Sequence, residues 1–147
     1  MSREYRLTLS RRIVNSVVTA TVKVGLAPRR TQLLSVKGRR SGAWYTTPVN
    51  LVLRDGKSYL VAPYGERSWV RNVRAAGVAR LRHGAAEVDY AIEPAGGDEA
   101  AAVLRQYWRE NAITRPFFGA SGDADDAAFL AEVPAHPVFR LRPSGSE

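Results

Sequence analysis

The sequence predicts an α+β fold in which about six mostly antiparallel strands curl into a small barrel with flanking helices. Three observations predict it. Short alternating apolar runs are joined by hairpin signals, Asp55-Gly56 and Gly84, and consecutive hairpins impose antiparallel pairing. Other segments carry apolar residues at helical spacing. The 147 residues contain no internal repeat and no long linker, which suits one body with a real core. Expected boundaries are a basic amphipathic helix and linker over 1–31, the barrel over 32–143 and a frayed tail at 144–147.

The elements follow in order. Leu9–Leu26 places Ile13, Val14, Val17, Val18, Thr21 and Val22 on one helical face. The run is too short and too interrupted, by Asn15 and Lys23, to span a bilayer, and no cleavage site follows its Arg11-Arg12 pair. A helix packed on the domain is expected, with peripheral membrane contact as a further reading. Gln32–Lys37 alternates as a strand. Trp44–Arg54 reads as a second strand broken by Pro48, which marks an edge or a bulge. Ser58–Pro63 returns after Asp55-Gly56 as a third. Trp69–Ala76 is a short helix closed by Gly77. Val78–His83 and Ala86–Glu93 form a further hairpin, and Asp98–Glu110 a helix with Asp98 as N-cap. Arg115–Asp126 reads as a loop and His136–Arg142 as the last strand.

Composition removes several chemistries. With no cysteine there is no disulfide framework and no thiolate metal site. His83 and His136 lack acidic partners at ligand spacing, so no metal is expected. The net charge of +8 is lopsided: residues 1–45 hold ten Lys/Arg against one acid, and residues 46–147 hold twelve against thirteen. A basic excess at one end fits an anionic partner. The stretch Lys37–Pro48, KGRRSGAWYTTP, concentrates that charge in one turn. A Gly-rich turn exposes successive backbone N–H groups as an anion nest. Arg39 and Arg40 add planar forks that match phosphate, and Ser41 adds a hydroxyl. The simpler reading of such a turn is a solvated basic loop.

The residues around the turn narrow the choice. GRRSG followed by TTPVN, RDG, YLVAPYG and WVRNV resembles the deazaflavin-dependent nitroreductases, also called deazaflavin-dependent quinone reductases, over roughly residues 32–95. The family pattern G-R-x-S/T-G-x-x-R-x-x-P is met by Gly38, Arg39, Ser41, Gly42 and Pro48. The resemblance implies a split β-barrel that uses coenzyme F-420. It implies that Arg39, Arg40 and Ser41 hold the phosphate and acidic tail of the coenzyme. Thr46, Thr47, Pro48 and Val49 would lie along its ring, and Ala62, Pro63, Tyr64 and Gly65 over it. Trp69 and Asn72 would open the helix that closes the phosphate side. Two positions depart from the pattern. Tyr45 stands where the family has Arg, so one phosphate fork is replaced by one hydroxyl. Gly65 stands where relatives can carry Lys, with Arg67 nearby.

The activity implied is hydride transfer from the reduced deazaflavin to a small apolar electrophile: a quinone, an activated alkene or a nitroaromatic. No nucleophile or acid–base dyad is visible, and none is needed when the cofactor carries the chemistry. Tyr64 and Tyr107 are candidate proton donors or pocket residues, with aromatic core or rim as the simpler reading of each. Phe117 and Phe118 are candidates for a lid over the substrate, or plain core. The alternative is a non-catalytic protein on the same scaffold that holds FMN, another flavin or a lipid. Trp44 and Tyr45 beside Arg39 and Arg40 could stack on bases, but this interleaving is confined to one turn, so no nucleic acid is expected. A cytoplasmic location is expected, with peripheral contact at the inner face of the membrane as the lesser alternative, and a homodimer is left open.

Overall fold

A computed structural model describes residues 9–120 and 125–143, with side chains described from Ser16 onward. The tail at 144–147 and the side chains of Arg11, Arg12, Ile13 and Val14 lie outside the described residues. The chain runs α1 (Leu9–Lys23), β1 (Thr31–Lys37), β2 (Trp44–Asn50), β3 (Val52–Arg54), β4 (Lys57–Val61), α2 (Ser68–Ala76), β5 (Val78–His83), β6 (Ala86–Ala95), α3 (Gly97–Glu110), a 3-10 helix (Ala112–Phe117), α4 (Asp126–Glu132) and β7 (Val138–Pro143).

One seven-stranded sheet, all antiparallel, has the order β2-β1-β5-β6-β7-β4-β3. Its two end strands, β2 and β3, follow each other in sequence. The sheet therefore curls until its ends come near, and it is split between them. The break falls at Leu51 rather than at Pro48. Leu51 donates its N–H to the Arg30 carbonyl at 2.7 Å and buries its side chain in the inner core. The chain thereby leaves β1 and joins β4, which turns one expected strand into two. Pro48 pairs with Leu33 without interruption, because β2 is an edge and one missing donor there costs little.

Alternation builds two cores. Leu34, Val36, Leu60, Ala79, Leu81, Phe139 and Leu141 point into the barrel, where Val70 and Val73 of α2 plug one end. The opposite face of β4 and β7, with Tyr59, Val61 and Val138, packs on Val103, Leu104 and Tyr107 of α3 and on Phe129 of α4. Asp55 and Gly56 both take positive φ, 52° and 74°, as the expected two-residue hairpin requires. Helix α1 contacts β1, β2 and β5. Val22 is fully buried there, and its carbonyl accepts from Gly84 N–H at 2.8 Å. No helix among the described residues is long and apolar enough to cross a membrane.

Two expectations need correction. Asp98 is not the N-cap of α3: Gly96 is, and Asp98 lies in the first turn. A carboxylate there still faces the positive end of the helix. The stretch read as a loop over Arg115–Asp126 contains the end of a 3-10 helix and the start of α4. The Asp125 carboxylate caps α4 by accepting from Ala128 N–H at 3.0 Å. Its single fully buried apolar anchor, Phe129, is too little to show as periodicity.

Candidate functional site

The basic turn joins β1 to β2. Gly38 N–H donates to the Ala43 carbonyl at 2.7 Å, and Gly42 N–H to the Gly38 carbonyl at 3.0 Å. Gly42 holds φ 73°, a conformation that favours glycine. Ser41 Oγ turns inward and accepts from Ala43 N–H at 3.2 Å. Asn72, on α2 and only 5% exposed, reaches the turn from the side. Its Oδ1 accepts from Arg39 N–H at 3.1 Å and from Arg39 Nη1 at 2.7 Å. One amide thus fixes both the backbone and the guanidinium of Arg39, and the Arg39 Nε and Nη2 donors meet no acceptor among the described residues. Arg40 is exposed, and its side chain meets no partner among the described residues. No acid occurs anywhere in residues 31–50.

Strand β2 carries the next candidates. Residues paired across an antiparallel ladder share a face. Tyr45 pairs with Val36 and Thr47 with Leu34, so both point to the barrel side, and Val49 packs on the inner core. Thr46 and Pro48 point outward, and Thr46 Oγ1 meets Ser35 Oγ at 2.8 Å. The four residues Thr46–Val49 are therefore divided by side chain but united by backbone: among the described strands β2 pairs with β1 alone, and its other edge borders the split. Trp44 lies on the outer face between Lys37 and Arg80, whose charged ends sit 5.7 and 5.0 Å from its ring centroid. Tyr45 is 53% exposed and lies against the turn. A Cβ added at Gly38 would come within 2.6 Å of Tyr45 Cε2, so the phenol ring fills the hollow that the missing side chain leaves.

On the far side of the split, Ala62 and Trp69 reach the inner core. Gly65 takes φ 84°. Tyr64, half-buried, meets Phe117 edge-on, with centroids 4.9 Å apart and planes at 82°. Phe118 does not join that pair. It lies in the outer core with Tyr107 and stacks on His136 at 4.0 Å and 15°. Tyr107 is buried, and burial, the first cause, pushes its hydroxyl pKa well above the usual tyrosine range. The expectation that His136 lacks an acidic partner at ligand spacing needs correction: Glu132, four positions before it, lies 3.3 Å from its Nε2. Two isolated polar residues four positions apart carry no motif, and only the fold shows what they join.

A family model described as F420H(2)-dependent quinone reductase matches residues 8–116. The chain belongs to that family. It is an oxidoreductase, and its cofactor is coenzyme F-420. No curated protein matches the chain. Among solved structures, one described as a domain-swapped dimer shares 20% identity at TM-score 0.59, over 90% of this chain and 93% of that one. A structure of an F420-H2 dependent reductase (FDR-A) shares 20% identity at TM-score 0.56, over 78% and 95%. A heme-binding protein from Mycobacterium smegmatis shares 16% at TM-score 0.56, over 86% of this chain and 51% of that one. These likenesses concern the fold, which is the split β-barrel with flanking helices. The residues present fit the coenzyme of the family: an acid-free turn with available guanidinium donors suits an anionic tail, and the unpaired edge of β2 offers backbone donors to a flat polar ring.

Proposed function

We propose that the protein reduces a small apolar quinone, with activated alkenes and nitroaromatics as further acceptors, using the reduced deazaflavin. The observation that carries the reading is the clamp of Arg39 by Asn72 at the mouth of an acid-free basic turn, beside the open edge of β2.

When bound, the deazaflavin supplies a hydride. Everything else falls to the chain. Arg39 and Arg40 bind the phosphate and carboxylates of the tail, with the turn's backbone N–H groups around them. Asn72 holds Arg39 in one rotamer, which lowers the entropy lost on binding. The edge of β2 from Thr46 to Val49 orients the ring. Tyr64 and Phe117 form an apolar wall that excludes water on the acceptor side. A quinone that gains a hydride also needs one proton to become a quinol. Of the two candidate phenols, Tyr64 is half-buried on the loop between β4 and α2, whereas Tyr107 is sealed in the outer core with a raised pKa. The donor role is assigned to Tyr64 or to water beside it.

The dimer named among the similar structures supports a homodimer. Exposed Val17, Val24 and Leu26, next to the basic N-terminal third, support peripheral contact with the inner face of a membrane. The reading is tested by titrating the protein with reduced deazaflavin, FMN and riboflavin, and by turnover with menadione. Tightest binding of the deazaflavin, weakening with salt, together with menadione reduction, supports it. Equal affinity for riboflavin, which lacks phosphate, removes the phosphate cradle. Ligand binding without turnover leaves a carrier on the same scaffold.

A further inference from the structure

His136 lies in the segment that links α4 to β7, and it is 4% exposed. Three successive residues of that segment seat the loop over Ala62–Gly65. The Pro137 carbonyl accepts from Ala62 N–H at 2.9 Å. His136 Nδ1 contacts the Pro63 carbonyl at 2.8 Å. The Ala135 carbonyl lies so close under Gly65 that a Cβ there would approach it to 3.2 Å. A carbonyl oxygen can only accept, so Nδ1 carries the proton and donates it.

The same imidazole also holds the segment after the 3-10 helix. Phe118 stacks flat on its face at 4.0 Å. Its Nε2 lies 3.3 Å from Glu132 Oε1. In the neutral ring this nitrogen carries a lone pair, and it donates to the carboxylate only when the ring takes a second proton. The Phe118 stack is therefore what ties the neutral ring to this segment, and Glu132 Oε1 accepts from Gly119 N–H at 2.9 Å. Gly119 is pressed to the carboxylate: an added Cβ would come within 2.8 Å of Glu132 Oε2. One buried ring therefore joins two otherwise separate segments. One carries Tyr64, the other Phe117 and Phe118. Where the two segments meet beyond the ring, Tyr64 and Phe117 make their edge-on contact.

We propose that His136 is a positioning residue for the reductase: it holds the Tyr64 loop and the Phe117–Phe118 segment in the mutual arrangement that shapes the acceptor side of the cofactor groove. The inference rests on the reading that Tyr64 and Phe117 border the acceptor. His136 itself reaches neither the basic turn nor β2 through any contact among the described residues, so its loss should change how the acceptor is seated more than how the coenzyme is held.

The test compares His136→Asn with His136→Leu. The Asn amide can still donate to the Pro63 carbonyl, and Leu cannot. Four readouts are taken: deazaflavin Kd by fluorescence, KM and kcat for menadione, thermal melting, and ring-proton NMR of Tyr64 and Phe117 in the protein without cofactor. His136→Leu is expected to raise KM for menadione about tenfold with deazaflavin Kd within about twofold of wild type, and to shift the Tyr64 and Phe117 resonances. His136→Asn should restore most of both. An unchanged KM and unshifted rings in a folded His136→Leu overturn the inference, as does a loss that Asn does not restore. If His136→Leu fails to fold, the ring NMR of wild type and His136→Asn decides. Wild-type imidazole protonated on Nδ1, with Tyr64 and Phe117 shifts kept in His136→Asn, supports the assignment. A wild-type imidazole protonated on Nε2 with Nδ1 unprotonated overturns it. Wild type that neither binds the deazaflavin nor reduces menadione overturns the functional reading and this inference together, an outcome distinct from failure of the variants alone.

Discussion

Asn72 Oδ1 accepts two hydrogen bonds from one residue, Arg39: from the backbone N–H at 3.1 Å and from Nη1 at 2.7 Å. A helix that plugs the barrel and a surface turn are thereby locked together by a single buried amide.

Asn72→Asp should separate the clamp from the charge. The carboxylate keeps both acceptor contacts, so the melting temperature should change little. It also neutralises Arg39, so deazaflavin Kd should rise about tenfold or more, the equivalent of about 1.4 kcal/mol. Fluorescence titration with a parallel melt checks this. Unchanged Kd would mean that Arg39 does not face the anionic tail.

Arg39→Ala and Arg40→Ala should each weaken deazaflavin binding by about tenfold or more, since a hydrogen bond to a charged group contributes roughly 1.5–3 kcal/mol. The salt dependence of Kd should flatten in both, because fewer screened contacts remain. Stability should fall only in Arg39→Ala, because Arg40 has no partner among the described residues to lose. Equal affinity in wild type and both variants would return the turn to a solvated loop.

Tyr45→Arg should tighten deazaflavin binding by supplying a third planar fork where the phenol now fills the hollow at Gly38. Gly38→Ala gives the converse test. Its methyl group would displace the Tyr45 ring, so the ring should become more exposed and the Tyr45 fluorescence or NMR signal should change. Weaker binding by Tyr45→Arg would show that the ring itself stacks on the ligand.

One buried imidazole and one half-buried carboxylate, His136 and Glu99, set the acid limb of stability. Burial, acting against the Glu132 carboxylate and the Pro63 carbonyl, holds the His136 pKa below its ordinary 6.5. The folded state thus favours neutral imidazole, and its contribution is present above pH 6.5 and is lost as pH falls below that value. Glu99 accepts from Arg140 Nε at 3.1 Å and from Tyr59 Oη at 2.6 Å. Arg140 first, then Tyr59, lower its pKa from the ordinary 4.5, so its contribution persists to more acid pH and is lost only as pH falls below 4.5. Melting temperature against pH should therefore decline in two steps. His136→Asn should remove the upper step and Glu99→Gln the lower. A single step that survives both substitutions would contradict the assignment.

The sequence by itself determined the local structure and the family. Asp55-Gly56 fixes its hairpin because both positions accept positive φ, and Gly77 ends α2 for the same reason. The spacing Gly38, Arg39, Ser41, Gly42, Pro48 identifies the basic turn because a turn's chemistry lies within a few consecutive residues. Tertiary structure alone decided what that turn leans on and what stands opposite it. Asn72 lies 33 positions from Arg39, and His136 lies 73 from Pro63. The split of Trp44–Arg54 at Leu51 was decided by a carbonyl on Arg30 and by room in the barrel. None of these partners leaves a periodic or adjacent signal, because a buried polar contact is selected by where two distant backbones bring a donor and an acceptor, and the chain must close into its barrel before that is defined.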